Sequence, residues 1–449
     1  MERKDFKDLE EKLAHRRAEY AASVDKSASE GFRCSYSNLS EKFKLYQKED
    51  FSKQFYHIYA VRLEKMRETC LKRVQQKWGK DVCVLRLAEM KDEEQLKCVV
   101  IGTLFKHQEL KPSILKEISE EHNLLPQPAR TNFVDDSDKL ILEDELQRIQ
   151  LIGEFNVHEA VTGVVCAVLG TPDSSGKFQV EDFCWAGPAA CGSPRQLDFE
   201  GDRFVVLVSG LGVVDEDSTF SINLLIECLA GVVPNKYSGK IARVIIAGNS
   251  VRSTTQLKAG TVNSQEILPA LQEFDRIVHK ISKCAFVDVM SGEFDITNHL
   301  LPQQPMHFCL FKEALRLKTF QCVTNPYDCE VGGRRLLGTS GQPVDDVARY
   351  STLEDPLQIL EQTLRWGHVS PTSPDTLSCF PFYKEDPFII CDCPDVYFAG
   401  NQPKFQTKMY EDNQQKVRLV CIPSFSKTQE CVFVNLRTLE CETLKFLVG

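Results

Sequence analysis

The stretch RVIIAGNSV, Arg243 to Val251, is the one on which the fold turns. Val244, Ile245 and Ile246 form an unbroken β-branched run, the composition of a strand buried on both faces, and it stops at Ala247-Gly248-Asn249. A buried strand that ends on glycine and a short polar residue is where α/β enzymes place ligands and metal ions. Aspartate would hold a cation better than Asn249, because its carboxylate carries charge. The turn is therefore either part of a working site or the trace of one that has been lost.

The same pattern recurs on both sides. DRFVVLVSGLG (202–212) predicts a strand Phe204–Val208 ending on Ser209-Gly210-Leu211-Gly212. STFSINLLIECLAGVV (218–233) and EILPALQEFDRIVHKISKC (266–284) read as helices, and FVDVMSGEFD (286–295) as a strand that ends on Gly292-Glu293-Phe294-Asp295. RRLLGTSGQ (334–342), the helix-like LEDPLQILEQTLRW (353–366), DVYFAGNQ (395–402) and two late strands, RLVCIPSF (418–425) and CVFVNL (431–436), complete the series. Strand–helix alternation followed by late strands predicts a layered α/β domain over residues 200–449.

Upstream the signal is β. KCVVIGTLF (97–105), IQLIGEFN (149–156), VTGVVCAVLGT (161–171) and GKFQVEDFCWAG (176–187) are short strands parted by turns such as TPDSSGKF (171–178). One helical segment, PSILKEISEEHNLL (112–125), interrupts them. Short strands with one inserted helix suit a small barrel such as an OB-fold, which with a preceding helix makes a domain over residues 41–199. VRLEKMRETCLKRVQQKWGKD (61–81) precedes it as a helix with an apolar stripe of Leu63, Met66, Cys70, Val74 and Trp78, stopped at Gly79. Arg62, Lys65, Arg67, Lys72, Arg73 and Lys77 surround that stripe, either as a solvated face or as a phosphate-contacting patch. Residues 1–40 read as a charged helix and a Ser-rich linker.

Composition narrows the function classes. The chain has 449 residues, 42% of them hydrophobic and 26% charged, as in ordinary globular proteins. No apolar run approaches the roughly 18–20 residues that a bilayer demands, and the charged opening MERKDFKDLEEKL lacks the apolar core of a secretion signal. The expected compartment is the cytosol or nucleus. The 18 cysteines are scattered among apolar neighbours, and none stands in C-x-x-C. They read as reduced, buried thiols, with Cys391 and Cys393 a poor zinc pair. A net charge of −10 argues against a protein that holds nucleic acid by itself. A single-stranded DNA-binding barrel stays open as an alternative, with Phe105, Phe155, Phe178, Phe183 and Trp185 as the aromatics on which bases would stack.

Taken in order, the strand-end turns resemble the ligand series of calcineurin-like metallophosphoesterases, D-x-H, G-D, G-N-H-D/E, a lone His and G-H-x-H. That resemblance implies two metal ions that activate water and clamp phosphoryl oxygens. Here the ligands are largely missing. Gly210 and Gly212 stand for D-x-H, Asn249 for the aspartate of G-D, and Gly292-Glu293-Phe294-Asp295 for the quartet, with Phe294 in place of histidine. Ser340 falls at the lone histidine, and Asn401 and Pro403 take both histidine positions of G-H-x-H. His279, His299, His307 and His368 lie in this domain but at no strand-end motif. Catalytic residues, metal and cofactor are therefore expected to be absent. Glu293 and Asp295 leave open residual single-ion binding, or a metallophosphoesterase with rearranged ligands.

Longer stretches carry a second resemblance. FYHIYAVRLEKMR (55–67), EEHNLLPQPAR (120–130), LILEDELQRIQL (140–151), VDVMSGEFDITNHLLPQQPMH (287–307), CVTNPYD (322–328), LLGTSGQPVDD (336–346) and SPTSPDTLSCFPF (370–382) resemble the B-subunits of eukaryotic replicative DNA polymerases, nearest to the delta branch. The resemblance runs from about residue 55 to the C-terminus. It implies an α+β multidomain chain, an OB-fold followed by a calcineurin-like phosphoesterase domain with a β-sandwich core and a degenerate active site. It also implies a non-catalytic nuclear scaffold for DNA replication and repair. The implied partners are the metal-binding C-terminal domain of the catalytic subunit of DNA polymerase delta, a third and smaller accessory subunits, and indirectly the sliding clamp. Contact with DNA is expected to be weak or indirect, with no membrane. Phe380, Phe382, Tyr383, Tyr397, Phe398 and Phe405 are candidate interface anchors, or else core.

Overall fold

Apolar runs and helical stripes condense into two compact units in the computed structural model, which describes residues 34–45, 54–90, 96–112, 130–188, 195–213, 219–233, 235–252, 264–412 and 415–446. One unit is drawn from 46–192 and 342–393, the other from residues up to 45, 193–341 and 394 onward. The predicted N-terminal helix, and nearly all of the predicted helix 112–125, lie outside the described residues.

The second unit begins with strand β1 (Tyr36–Asn38), taken up below. The first unit opens with helix α1 (Tyr56–Trp78), stopped by Gly79 at φ 93°, a conformation glycine adopts without strain. Strands β2 (Val84–Leu85), β3 (Cys98–His107), β4 (Lys139–Glu143), β5 (Arg148–Gly153), β6 (Val165–Pro172) and β7 (Lys177–Trp185) follow. They run in the order β2-β3-β4-β5-β7-β6, and antiparallel pairing of β3 with β6 closes the sheet into a barrel. Leaving β2 aside, that closed order is the Greek-key order of an OB-fold. The predicted stripe of α1 is what seats it: Leu63, Met66, Cys70 and Val74 pack on Val99, Ile101, Val165 and Ala167.

In the second unit, β8 (Phe204–Val208), β9 (Ile241–Ala247) and β10 (Val287–Met290) lie parallel, with helices α2 (Thr219–Leu229) and α3 (Ser264–Ser282) between them in sequence. Strand β11 (Phe320–Val323) extends that sheet. A second sheet takes β12 (Tyr327–Val331) and β13 (Arg334–Thr339), with β1 on the edge of β12. The chain then returns to the first unit as helices α4 (Gln342–Tyr350) and α5 (Pro356–Trp366). Strands β14 (Val396–Gln402), β15 (Gln406–Asp412), β16 (Gln415–Pro423), β17 (Glu430–Asn435) and β18 (Cys441–Lys445) complete both sheets of the second unit. Period-two alternation makes the layers. Val205, Leu207 and Ile245 meet Leu336, Phe398 and Val420 between the sheets, whereas Val206, Val208 and Ile246 meet Leu225, Phe274 and Ile281 of the helices.

These units differ from the contiguous 41–199 and 200–449. Residues 342–393 join the barrel because their apolar and charged groups are spent there. Trp366 meets Trp185 at 6.1 Å, Ile389 enters the core under α1, and Asp386 binds Arg62. Residues 34–45 join the sandwich, where Ser40 exchanges hydrogen bonds with the Asp328 backbone. On the basic face of α1, Lys65, Lys72 and Lys77 are exposed as on a solvated face, and only Arg62 departs from that reading. Arg62 is fully buried, Lys77 pairs with Asp182 at 2.6 Å, and Lys72 with Glu68 at 2.7 Å.

The barrel aromatics serve each other. Phe178 is core, and Phe155, Phe183 and Trp185 form a half-buried cluster with Phe155–Phe183 and Phe183–Trp185 ring distances of 4.4 and 5.2 Å. Trp185→Ala is expected to lower stability by about 2 kcal/mol, below the full cost of a buried aromatic because the site is half-exposed. Single-stranded DNA retention should be unchanged. A specific loss of retention in a folded variant would restore the base-stacking reading.

Candidate functional site

The parallel strands β8, β9 and β10 of one sheet, and β13 and β14 of the other, end at the same edge of the sandwich. Five of the turns picked out in sequence therefore come together. The ring is closed by Asn401. Its backbone N–H donates to Ser209 Oγ at 2.8 Å, and its side-chain amide donates to Ser340 O, Ser340 Oγ and Ala247 O at 2.8, 3.0 and 3.2 Å. Ser209 Oγ donates onward to Pro423 O at 3.1 Å. Asn401 and Asn249 sit at φ 57° and 53°, left-handed conformations that asparagine tolerates better than most residues.

The acidic residues face different surroundings. Asp295 is buried, and its carboxylate is taken up by backbone: Oδ1 accepts from Ser250 and Val251 N–H at 2.9 and 3.3 Å, and Oδ2 from Gly292 N–H at 2.9 Å. Burial pushes this carboxyl above its ordinary range, against the pull of those N–H groups. Asn249 Oδ1 accepts from Phe294 N–H at 3.2 Å, so it too is used in holding the turn. Glu293 and Phe294 are half-buried, and Pro403 is exposed and outside the ring. Gly210 and Gly212 both sit in the left-handed region, at φ 61° and 54°.

Space is as limited as ligands. A Cβ on Gly248 would lie 2.1 Å from Ser340 Oγ, and one on Gly210 would lie 2.5 Å from Ser424 Oγ and 2.7 Å from Asn401 Oδ1. Uncharged side chains pass hydrogen bonds through the volume between the turns. Gln303 donates to Gly292 O at 2.9 Å and accepts from Asn325 at 2.8 Å, and Asn325 Oδ1 accepts from Ser340 N–H at 3.0 Å. Such a chain can fix five loops in one geometry but offers a divalent ion no cluster of charge.

Among the described residues no three of His, Cys, Asp and Glu are grouped so as to hold a metal ion. His299 and His307 are exposed, His279 is half-buried, and His368 belongs to the other unit. Burial pushes the Cys70, Cys166, Cys329 and Cys431 thiols far above their ordinary range, which keeps them protonated. Of the proposed anchors, Tyr397 and Phe398 are core, Phe382 is buried, Phe380 and Phe405 are half-buried, and Tyr383 remains exposed. Sequence reasoning missed Ser209, Gln303 and Asn325 as members of the ring. Gln303 and Asn325 were signalled only by the adjoining Pro302 and Pro326, and Ser209 only by its place at the end of an apolar strand.

The family model described as the DNA polymerase delta subunit OB-fold domain matches residues 54–183, and the model of the DNA polymerase alpha/epsilon B-subunits matches residues 205–407. Among solved structures, an archaeal phosphodiesterase is similar over 54% of this chain and 98% of its own, at 12% identity and a TM-score of 0.28, too slight a likeness to argue from. DNA polymerase delta subunit 2 of Drosophila melanogaster is 44% identical, over 92% of this chain and 97% of its own. The DNA polymerase delta small subunits of Oryza sativa subsp. japonica and Saccharomyces cerevisiae are 39% and 31% identical, covering 92% and 91% of this chain and 97% and 92% of their own. With relatives this similar aligned along nearly their whole length, the chain belongs to the family of DNA polymerase delta small subunits.

Proposed function

We propose that this accessory subunit is a non-catalytic scaffold whose phosphoesterase-like site has lost its metals. In the nucleus it links the metal-binding C-terminal domain of the catalytic subunit to the third and smaller accessory subunits. What supports this is the side-chain amide of Asn401, hydrogen-bonded to Ser340 and Ala247 where the series of a metallophosphoesterase has a histidine ligand. The amide nitrogen is spent in donation and has no basic lone pair with which to replace a histidine nitrogen, and the glycines around it leave no room for larger side chains. Gly210, Gly212, Asn249, Ser340 and Asn401 are, on this reading, relics of ligand positions. They now act as close-packing points of a rigid platform.

The test has two arms. The full chain mixed with the catalytic subunit's C-terminal domain should co-elute in gel filtration at micromolar concentration, and separate elution would reject the scaffold. The full chain alone should hydrolyse no generic phosphodiester in the presence of manganese. Hydrolysis that disappears in Glu293→Ala/Asp295→Ala would instead establish a phosphoesterase with rearranged ligands.

A further inference from the structure

Two short turns, Phe308–Leu310 and Ala314–Arg316, pack on helix α3 in the sandwich unit. They are held firmly. Both oxygens of the buried Asp275 carboxylate accept backbone N–H groups, from Glu313 and Ala314 at 2.9 Å each. Between turns and helix lies a depression of about 330 Å³, with Leu271 and Leu310 among its lining. Large apolar groups stand uncovered around it: Leu268 and Phe308 are each 61% exposed, and Leu315 is 52% exposed.

The charge on this face opposes that of the chain. Net charge overall is −10, yet Arg276, Lys312, Arg316 and Lys318 are all exposed here and outnumber the neighbouring acids, the half-buried Glu273 and the exposed Glu313. Arg276 pairs with Glu273 at 3.0 Å, whereas among the described residues no carboxylate lies within 4.0 Å of Lys312, Arg316 or Lys318. Among the described residues, an acidic protein thus keeps cations without a carboxylate partner beside unburied leucine and phenylalanine. Apolar anchors with a rim in which one sign of charge predominates are the make-up of a docking patch.

We propose that this face docks an acidic amphipathic segment of a partner protein. Its apolar side chains seat among Leu268, Phe308 and Leu315, and its carboxylates reach Lys312 and Arg316. Nucleic acid would satisfy the cations but leave the leucines in water, because a phosphate backbone brings no apolar anchor. A second copy meeting patch to patch would set like charges against each other. The inference rests on the scaffold reading for the existence of a partner. Its test does not use the catalytic subunit, so the two can fail separately.

The probe is a displayed library of random 16-residue peptides panned on the full chain, with Lys312→Glu/Arg316→Glu and Phe308→Ser/Leu315→Ser as comparison proteins. These residues are exposed, so melting temperatures should match the parent's. The expected winners are net acidic, with large apolar residues at helical spacing, and bind each variant at least tenfold more weakly. A lysine-for-glutamate version of a winner should prefer the charge-reversed variant. No enrichment, winners that are neutral or basic, or winners that bind both variants as well as the parent would overturn the proposal. So would binding of a 20-nucleotide single strand, or self-association in sedimentation, that the variants abolish while no peptide is selected.

Discussion

Asp386→Ala is expected to lower the stability of the barrel unit by about 3–5 kcal/mol, the cost of removing one partner from a buried ion pair. Arg62 is fully buried on α1, and its Nε donates to Asp386 Oδ2 at 2.6 Å. Its remaining nitrogens donate to Pro371 O, Ser373 O and Gly163 O at 2.8, 2.7 and 3.0 Å. Those carbonyls solvate the guanidinium but do not neutralise it. With alanine at 386 the charge would be stranded. His368, whose Nε2 lies 2.9 Å from Asp386 Oδ2, would lose its partner too. The measurement is selective, because all three tryptophans, Trp78, Trp185 and Trp366, lie in this unit. Their emission during urea unfolding reports the barrel unit. A loss below about 1 kcal/mol would mean that water enters to rescue Arg62, against the packing described.

The same cluster sets an acid dependence. Burial and the neighbouring Arg62 push the His368 imidazole down to about 4, although Asp386 pulls the other way. Burial pushes the Asp386 carboxyl up, but Arg62 and His368 outweigh it and hold it well below the carboxylate range. An unfolded histidine titrates near 6.5, so between pH 6.5 and about 4 the unfolded chain takes up a proton that the folded one refuses. Stability therefore falls with pH through that window, by roughly 2 kcal/mol at pH 5. The Asp386 contribution is lost only below it. His368→Gln should flatten the urea midpoint between pH 7 and pH 5, and an unchanged slope would place the acid sensitivity elsewhere.

Arg62 also shows where sequence reading stops. Its helix was legible, because Leu63, Met66, Cys70 and Val74 recur at helical spacing. Its burial was not, because the carboxylate that accepts it stands 324 residues away. Strands β8, β9 and β10 announce themselves as apolar runs. In contrast β12, YDCEV, hides two acids, and Asp328 is tolerated in the interior because Arg335 and Lys42 pair with it at 2.8 and 3.2 Å. Strand β18, CETLK, is a partly exposed edge without clear alternation. Helix α4 shows only Val344, Val347 and Tyr350 at intervals of three. The uncharged residues at the strand-end turns, Gly210, Gly212, Asn249, Ser340 and Asn401, could be read residue by residue. That the space between those turns is closed could not, since Asn401 meets Ser209 across 192 residues and Ser340 across 61.

That closure separates two substitutions which look equivalent on paper. Asn249→Asp recreates a G-D dipeptide, keeps an oxygen for the hydrogen bond from Phe294 N–H and tolerates φ 53°, so it should cost only about 1–2 kcal/mol, set by placing a carboxylate in a buried site beside Asp295. Asn401→Asp should cost at least about 3 kcal/mol at neutral pH. There the amide nitrogen donates to Ala247 O and Ser340 O, and a carboxylate in its place would set a negative oxygen against two carbonyl oxygens in a half-buried site. A protonated acid could still donate one bond, so the penalty should shrink on lowering the pH toward 5, the reverse of the trend that His368 imposes on the barrel unit. Intrinsic tryptophan emission would miss this change. Circular dichroism or hydrogen exchange of β13 and β14 should detect it. Manganese offers the deciding comparison. If this edge of the sandwich still had room for an ion, adding manganese would stabilise Asn249→Asp and rescue Asn401→Asp; a closed, hydrogen-bonded interior predicts that neither moves. Rescue by manganese would show that the hydrogen-bonded ring reopens around a cation and that the site retains its capacity for metal.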